Sequence, residues 1–112
     1  MSKKVLIVGV GSIGNRHLRC FLNTNRVRLA ICDSNAVLAE TVSKQYRVDE
    51  LYTSLDSALE NPPDIAVICT PAHLHIPMGI QLAESGVDLL IEKPLSTSCE
   101  DLGRLNNTVN EN

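Results

Sequence analysis

Val5-Leu6-Ile7-Val8-Gly9-Val10-Gly11-Ser12-Ile13-Gly14-Asn15-Arg16-His17 is the stretch on which the fold is decided. Four apolar residues, three of them β-branched, run straight into glycines spaced G-x-G-x-x-G, and an apolar-periodic segment with Ile13, Leu18, Phe21 and Leu22 follows. That order predicts a buried strand, a tight turn and a helix. Gly9 permits the sharp turn off the strand, Gly11 lets a pyrophosphate approach the backbone without meeting a Cβ, and Gly14 lets the helix pack closely on its strand. The helix start at Ser12 and Ile13 offers N–H groups and the positive end of the helix dipole to an anion.

The glycine string alone is weak, because turn geometry accounts for many such strings. Context strengthens it. A second strand, Val27-Arg28-Leu29-Ala30-Ile31-Cys32, ends in Asp33, which lies 19 positions past Gly14. An acidic residue about 20 positions on, at the end of the next strand, is where a dinucleotide's ribose hydroxyls are read. Ser34 follows as a lesser candidate for the same contact.

Composition fits a single small domain. At 112 residues, folding buries between about 60 and 70% of the unfolded chain's surface. The chain is 44% hydrophobic and 21% charged, with one Phe, two Tyr and no Trp, so its core is aliphatic, as buried parallel sheets require. A net charge of −3, with no cluster among the ten Lys and Arg, argues against nucleic acid as a partner. A nucleotide held by backbone N–H groups needs no basic surface. Cys20, Cys32, Cys69 and Cys99 form no C-x-x-C pair, no apolar leader precedes the first strand, and no run reaches the ~18 apolar residues of a membrane span. These features predict a reduced, cytoplasmic chain with no membrane partner, its cysteines serving as small buried hydrophobes.

Along the chain, Asn35 is placed to cap a helix carrying Ala36, Val37, Leu38, Ala39 and Val42 and ending near Gln45-Tyr46. Leu51-Tyr52-Thr53 reads as an edge strand, and Ser54 caps a brief helix through Leu59 that Asn61-Pro62-Pro63 closes. Asp64 to Cys69 is a strand buried on both faces, and Thr70-Pro71-Ala72 is the loop at its carboxyl end. A helix runs from about Leu74 to Ser85, with Pro77 in its first turn and Gly86 ending it. Val87 to Ile91 forms a fifth strand that delivers Glu92-Lys93-Pro94, and a last helix starts at Thr97 or Ser98. Strands alternating with helices predict an α/β fold: a doubly wound parallel sheet of order 3-2-1-4-5 in three α/β/α layers. Ligands of such sheets bind at the carboxyl ends of the strands.

With these motifs placed, the chain resembles the nucleotide-binding domain of the glucose-fructose oxidoreductase and inositol dehydrogenase (Gfo/Idh/MocA) family. The carriers are the G-x-G-x-x-G-x-x-H form from Gly9 to His17, the T-P-x-x-x-H loop from Thr70 to His75, and E-K-P from Glu92 to Pro94. The resemblance implies a Rossmann-type NAD(P)-binding domain over residues 1–112, in an oxidoreductase that moves a hydride to or from a hydroxyl carbon of a sugar, cyclitol or similar polyol. It implies that Lys93 lies near the nicotinamide and is the catalytic residue, donating a charged hydrogen bond to the substrate oxygen with Glu92 helping to orient it, and that both belong with the cofactor-binding residues. It implies too that Thr70, Pro71 and His75 wall the ribose and nicotinamide, with His75 capping or hydrogen-bonding the loop. Asp88 departs from the family, where histidine is common. Members usually continue into a sixth strand and a substrate domain, which is absent from this chain, so a fragment inactive by itself is expected. The alternative is a stand-alone dinucleotide sensor or interaction module. An uncovered fifth strand predicts self-association into a homo-oligomer.

His73 and His75 lack a carboxylate or cysteine at ligand spacing, so no metal is expected. His17 reads equally as a packing residue or a ligand contact. NAD is expected over NADP, because a 2′-phosphate about 4 Å from Asp33 meets a repulsion on the order of 4 kcal/mol at an effective dielectric near 20. Ser34, Asn35 and Ala36 offer no arginine to offset it.

Overall fold

A computed structural model describes residues 3–24 and 26–91. The expected helix at Thr97 or Ser98, the Glu92-Lys93-Pro94 motif and Cys99 lie outside the described residues. Strand β1 (Lys3–Val8) leads into helix α1 (Ser12–Thr24), followed by β2 (Val27–Cys32), α2 (Ala36–Tyr46), β3 (Glu50–Tyr52), α3 (Leu55–Leu59), β4 (Ile65–Ile68), α4 (His75–Glu84) and β5 (Asp88–Ile91). The strands form one sheet in the order β3-β2-β1-β4-β5, and every described pairing is parallel. The sheet order expected from the alternation of elements is the one observed.

The central strand is buried on both faces because its alternate side chains serve two cores. Val5 and Ile7 pack with Leu18 of α1 and with Ala39 and Val42 of α2. Leu6 and Val8 pack on the opposite face with Ala58 of α3 and Leu82 of α4. The two helix pairs thus make the outer layers.

Local signals set the helix starts. The Asn35 side chain accepts from the Leu38 N–H at 3.1 Å, and the Ser54 hydroxyl accepts from the Ser57 N–H at 3.2 Å. Each satisfies one of the N–H groups that a helix start leaves without an intrahelical partner. A short 3-10 turn, Ala72–Leu74, precedes α4. Pro77 is the third residue of α4, inside the first turn where its missing N–H breaks no helical bond.

Two apolar residues of the expected helical patterns face water: Ile13 is 50% exposed and Val37 76%, both in first helical turns. Cys20 is exposed and so does not serve as a buried hydrophobe, whereas Cys32 is buried. On β5, the last strand of the described sheet, exposed and half-buried residues alternate.

Lys4 is the reverse case, a charged residue left only 4% exposed. Its Nζ donates to the Asn61 carbonyl at 2.6 Å and to Glu50 Oε1 at 3.2 Å. Between β1 and β3 lies β2, in which Arg28 is in register with Lys4 and Ala30 with Glu50, so the ion pair spans the middle strand. Glu50 also accepts a hydrogen bond from the Tyr52 hydroxyl. Among the described residues, no helix is long and apolar enough to cross a membrane.

Candidate functional site

Parallel register builds the site. Val8 pairs with Cys32 on one side and Ile68 on the other, and Cys32 pairs with Tyr52. The next residues, Gly9, Asp33, Cys69 and Thr53, therefore leave the sheet side by side at its carboxyl edge. All four line a pocket of about 540 Å³. Gly11, Ser34, Thr70 and Pro71 line it too, with Leu38, Ser54, Leu55, His73, Leu74 and Met78.

The glycines divide the work of the turn. Gly9 has φ +88°, a conformation L side chains rarely adopt, and its N–H donates to the Cys32 carbonyl at 2.8 Å. At Gly14, a Cβ would lie 1.8 Å from the Gly9 carbonyl oxygen, so the helix packs on the glycine turn itself rather than on the strand as the sequence suggested. Gly11 is different. A Cβ there would meet nothing within 4 Å, so the space beside its backbone is open.

That opening adjoins the start of α1. The helix's first backbone bond runs from Asn15 N–H to the Gly11 carbonyl at 2.8 Å. The N–H groups of Ser12, Ile13 and Gly14 precede it, and no acidic side chain sits in that turn to compete for an anion. Open space, a helix N-terminus and a carboxylate at the neighbouring strand end fit a dinucleotide, whose pyrophosphate and ribose need those groups at that spacing.

Asp33 already holds two backbone partners. Its Oδ2 accepts from the Val10 N–H at 2.9 Å and its Oδ1 from the Asn35 N–H at 2.8 Å. Each oxygen has a further lone pair, so the carboxylate keeps acceptor capacity toward a ribose while bracing the glycine loop. Asp33 is the one Asp, Glu, Lys or Arg among the described residues lining the pocket. Beside it, burial pushes the Cys32 thiol up to about 11, with the Asp33 charge adding to the effect. Cys32 is therefore a neutral wall residue near neutral pH.

Of the residues singled out in the sequence, Gly9, Gly11, Asp33, Ser34, Thr70 and Pro71 come together in this pocket. Ser12, Ile13 and Gly14 flank it through the first turn of α1 and do not line it, nor does His17. His75 stands behind the wall, 1% exposed, with its Nε2 2.6 Å from the Thr70 carbonyl. Glu92 and Lys93 lie outside the described residues. The sequence reading passed over Thr53, Ser54 and Leu55 as pocket residues. Their signal was the expected sheet order, which puts the end of β3 next to the end of β2.

The family model described as oxidoreductase family, NAD-binding Rossmann fold (GFO_IDH_MocA) matches residues 3–112. Among solved structures, the chain is similar to the WlbA dehydrogenase from Bordetella pertussis in complex with NADH and UDP-GlcNAcA. That likeness has 27% identity and a TM-score of 0.90, and it covers 99% of this chain and 35% of that one. Among curated proteins, it is 33% identical over 116 residues to glycosyl hydrolase family 109 protein 1 of a Shewanella species (strain ANA-3). It is 32% identical over 116 residues to an alpha-N-acetylgalactosaminidase of Shewanella oneidensis. Both alignments cover 94% of this chain and 25% of the relative, so the chain spans about a quarter of the length of the curated relatives it matches.

Proposed function

The chain belongs to the GFO_IDH_MocA oxidoreductase family of NAD-binding Rossmann folds, and from that premise we propose that it is the NAD-binding part of an enzyme that transfers a hydride to or from a hydroxyl carbon of a sugar, cyclitol or similar polyol. One observation carries the reading: the open position at Gly11 and the Asp33 carboxylate line one pocket, and the first turn of α1 flanks it. Bound there, the nicotinamide ring would supply the hydride acceptor or donor.

The chain's own residues bind and orient. The N–H groups of Ser12, Ile13 and Gly14 face the pyrophosphate, Asp33 and Ser34 accept and donate at the adenosine ribose, and Thr70 and Pro71 wall the nicotinamide half. NAD is preferred to NADP because Asp33 repels a 2′-phosphate and no lysine or arginine among the described residues lines the pocket to offset it. Ile91, at the end of β5, pairs with Ile68 at this same edge, which supports assigning Lys93, two residues further along, to the substrate oxygen. A charged donor there stabilises alkoxide character as hydride leaves, an effect typically worth about 10²–10³ in rate. The substrate site belongs to a further domain of the whole protein, which acts in the cytoplasm as a homo-oligomer. The UDP-GlcNAcA in the WlbA complex favours a sugar-based small molecule as substrate.

The names of the two Shewanella relatives favour a second reading, a glycosidase in which the sugar is oxidised and re-reduced within one turnover. It predicts glycoside cleavage that requires NAD and leaves no net NADH. Two measurements decide. Calorimetry on this chain is expected to give binding of NAD and weaker binding of NADP, and no heat at millimolar NAD overturns the cofactor reading. The full-length protein is then assayed with cyclitols, nucleotide sugars and N-acetylgalactosaminides. NADH accumulation selects the dehydrogenase, cleavage without NADH selects the glycosidase, and no turnover with any of them leaves a dinucleotide sensor.

A further inference from the structure

We propose that His75 is a positioning residue: from behind the pocket it holds the Thr70–Pro71 wall against the glycine turn, and thereby sets the grip on the nicotinamide half of the cofactor. The inference rests on the dinucleotide reading above and deepens it, because His75 itself does not line the pocket.

Three contacts tie this wall to the start of α4. The His75 ring, 1% exposed, places Nε2 2.6 Å from the Thr70 carbonyl. A carbonyl oxygen only accepts, so Nε2 carries the proton and the tautomer is fixed by the contact. The Thr70 hydroxyl donates to Met78 Sδ at 3.4 Å, and the Leu74 N–H donates to the Pro71 carbonyl at 2.9 Å. Of the three, the histidine contact is made by a fully buried ring.

On its other side Thr70 abuts the glycine turn without slack. A Cβ built on Gly9 would stand 3.0 Å from both the nitrogen and Cγ2 of Thr70. Thr70 is therefore clamped between α4 and the turn that receives the pyrophosphate, and a shift of His75 is passed to Thr70 and Pro71. The pocket's other end, around Asp33 and Thr53, is built on β2 and β3; its described side-chain link to α4 is an exposed one that does not involve His75, Gln81 Nε2 donating to Asp56 Oδ1 at 2.6 Å. Losing the His75 donor consequently affects one half of a bound dinucleotide and spares the other.

The test compares NAD with ADP-ribose, which lacks the nicotinamide, by calorimetry on the wild-type chain and on His75→Phe and His75→Gln. His75→Phe keeps the bulk without the donor and is expected to weaken NAD about five- to tenfold, the worth of one hydrogen bond, with ADP-ribose within about twofold. His75→Gln, whose amide donates from a similar reach, is expected to restore NAD binding. If His75→Phe fails to fold, His75→Asn, whose amide is too short to reach Thr70, takes its place. Nitrogen NMR on the wild type is expected to show the Nε2–H tautomer. Equal losses of NAD and ADP-ribose, no loss of either, failure of glutamine to rescue, or the Nδ1–H tautomer overturns the proposal. A wild-type chain that binds neither ligand overturns the dinucleotide reading as well.

Discussion

The carboxylate of Asp33, at the end of β2, accepts a hydrogen bond from the Val10 N–H of the glycine loop at 2.9 Å. The residue proposed to read the ribose therefore also braces the glycine loop proposed to receive the pyrophosphate. Asp33→Asn keeps one oxygen as acceptor and removes the charge, so it is expected to narrow the NAD-to-NADP preference at a small cost in NAD affinity. Asp33→Ala removes the brace as well. It is expected to lose about 10- to 100-fold in NAD affinity, the equivalent of a charge-assisted hydrogen bond. Calorimetry with both cofactors checks this, and an unchanged preference in both variants contradicts it.

Gly11 and Gly14 are predicted to fail in opposite ways. A methyl at Gly14 collides with the Gly9 carbonyl at 1.8 Å, a backbone atom that cannot step aside, so Gly14→Ala is expected to destabilise by about 1–3 kcal/mol or more. A methyl at Gly11 meets no atom within 4 Å, so Gly11→Ala is expected to melt like the wild type and yet bind NAD poorly. Thermal melts with and without NAD separate the two. Normal NAD binding by Gly11→Ala would remove the pyrophosphate from this position.

At the opposite end of β1, Lys4 and Glu50 form an ion pair whose side chains are 5% and 25% exposed. Glu50→Ala strands the lysine with the Asn61 carbonyl as its remaining described partner. Breaking a fully buried pair costs about 3–5 kcal/mol, and the partial exposure of Glu50 lowers the expectation here to about 1–3. Lys4→Met, which removes the buried charge and keeps the apolar stem, is expected to cost less. Urea unfolding of the two variants gives the order directly.

The same cluster sets a pH dependence. The Tyr52 hydroxyl, and after it Lys4, hold the Glu50 carboxyl below its ordinary value. The folded state thus binds that proton less tightly than the unfolded chain, so this contribution is present at neutral pH and is lost as pH falls through the folded value. Tyr52 is pushed from 10.0 up to about 12, chiefly by its bond to Glu50. Its contribution is present below 10.0 and is lost as pH rises toward about 12. Denaturation midpoints across both limbs are expected to flatten in Glu50→Gln, and an unaltered acid limb would disprove the role of the carboxylate.

Thiol reactivity gives a fifth check. Cys20 is exposed, whereas Cys32 is buried with its pKa raised from 9.0 to about 11. That shift alone lowers the thiolate fraction about 100-fold. In a Cys99→Ser background, an aromatic disulfide reagent is expected to label Cys20 fast and Cys32 far more slowly. Equal rates at the two would contradict the burial of Cys32.

The sequence by itself determined whatever is written in neighbouring residues. The strand, turn and helix from Val5 to Leu22, the caps at Asn35 and Ser54, the place of Pro77 and the alternation that yields the order 3-2-1-4-5 all follow from local sterics and hydrophobic period. Gly9, Gly11, Asp33 and Thr70 were legible as pocket residues because each follows a strand end in a parallel sheet. Only the tertiary structure decided which face of each element stays covered. Ile13 and Val37 fit the helical period and yet face water, because a period names a stripe without saying how wide a surface the neighbours cover. Lys4 is buried where Glu50 and the Asn61 carbonyl, distant in sequence, give its ammonium partners. That His75 hydrogen-bonds its own loop was legible in the sequence, but its place behind the pocket wall and the atom it meets, the Thr70 carbonyl, were not, because a backbone atom carries no sequence signal.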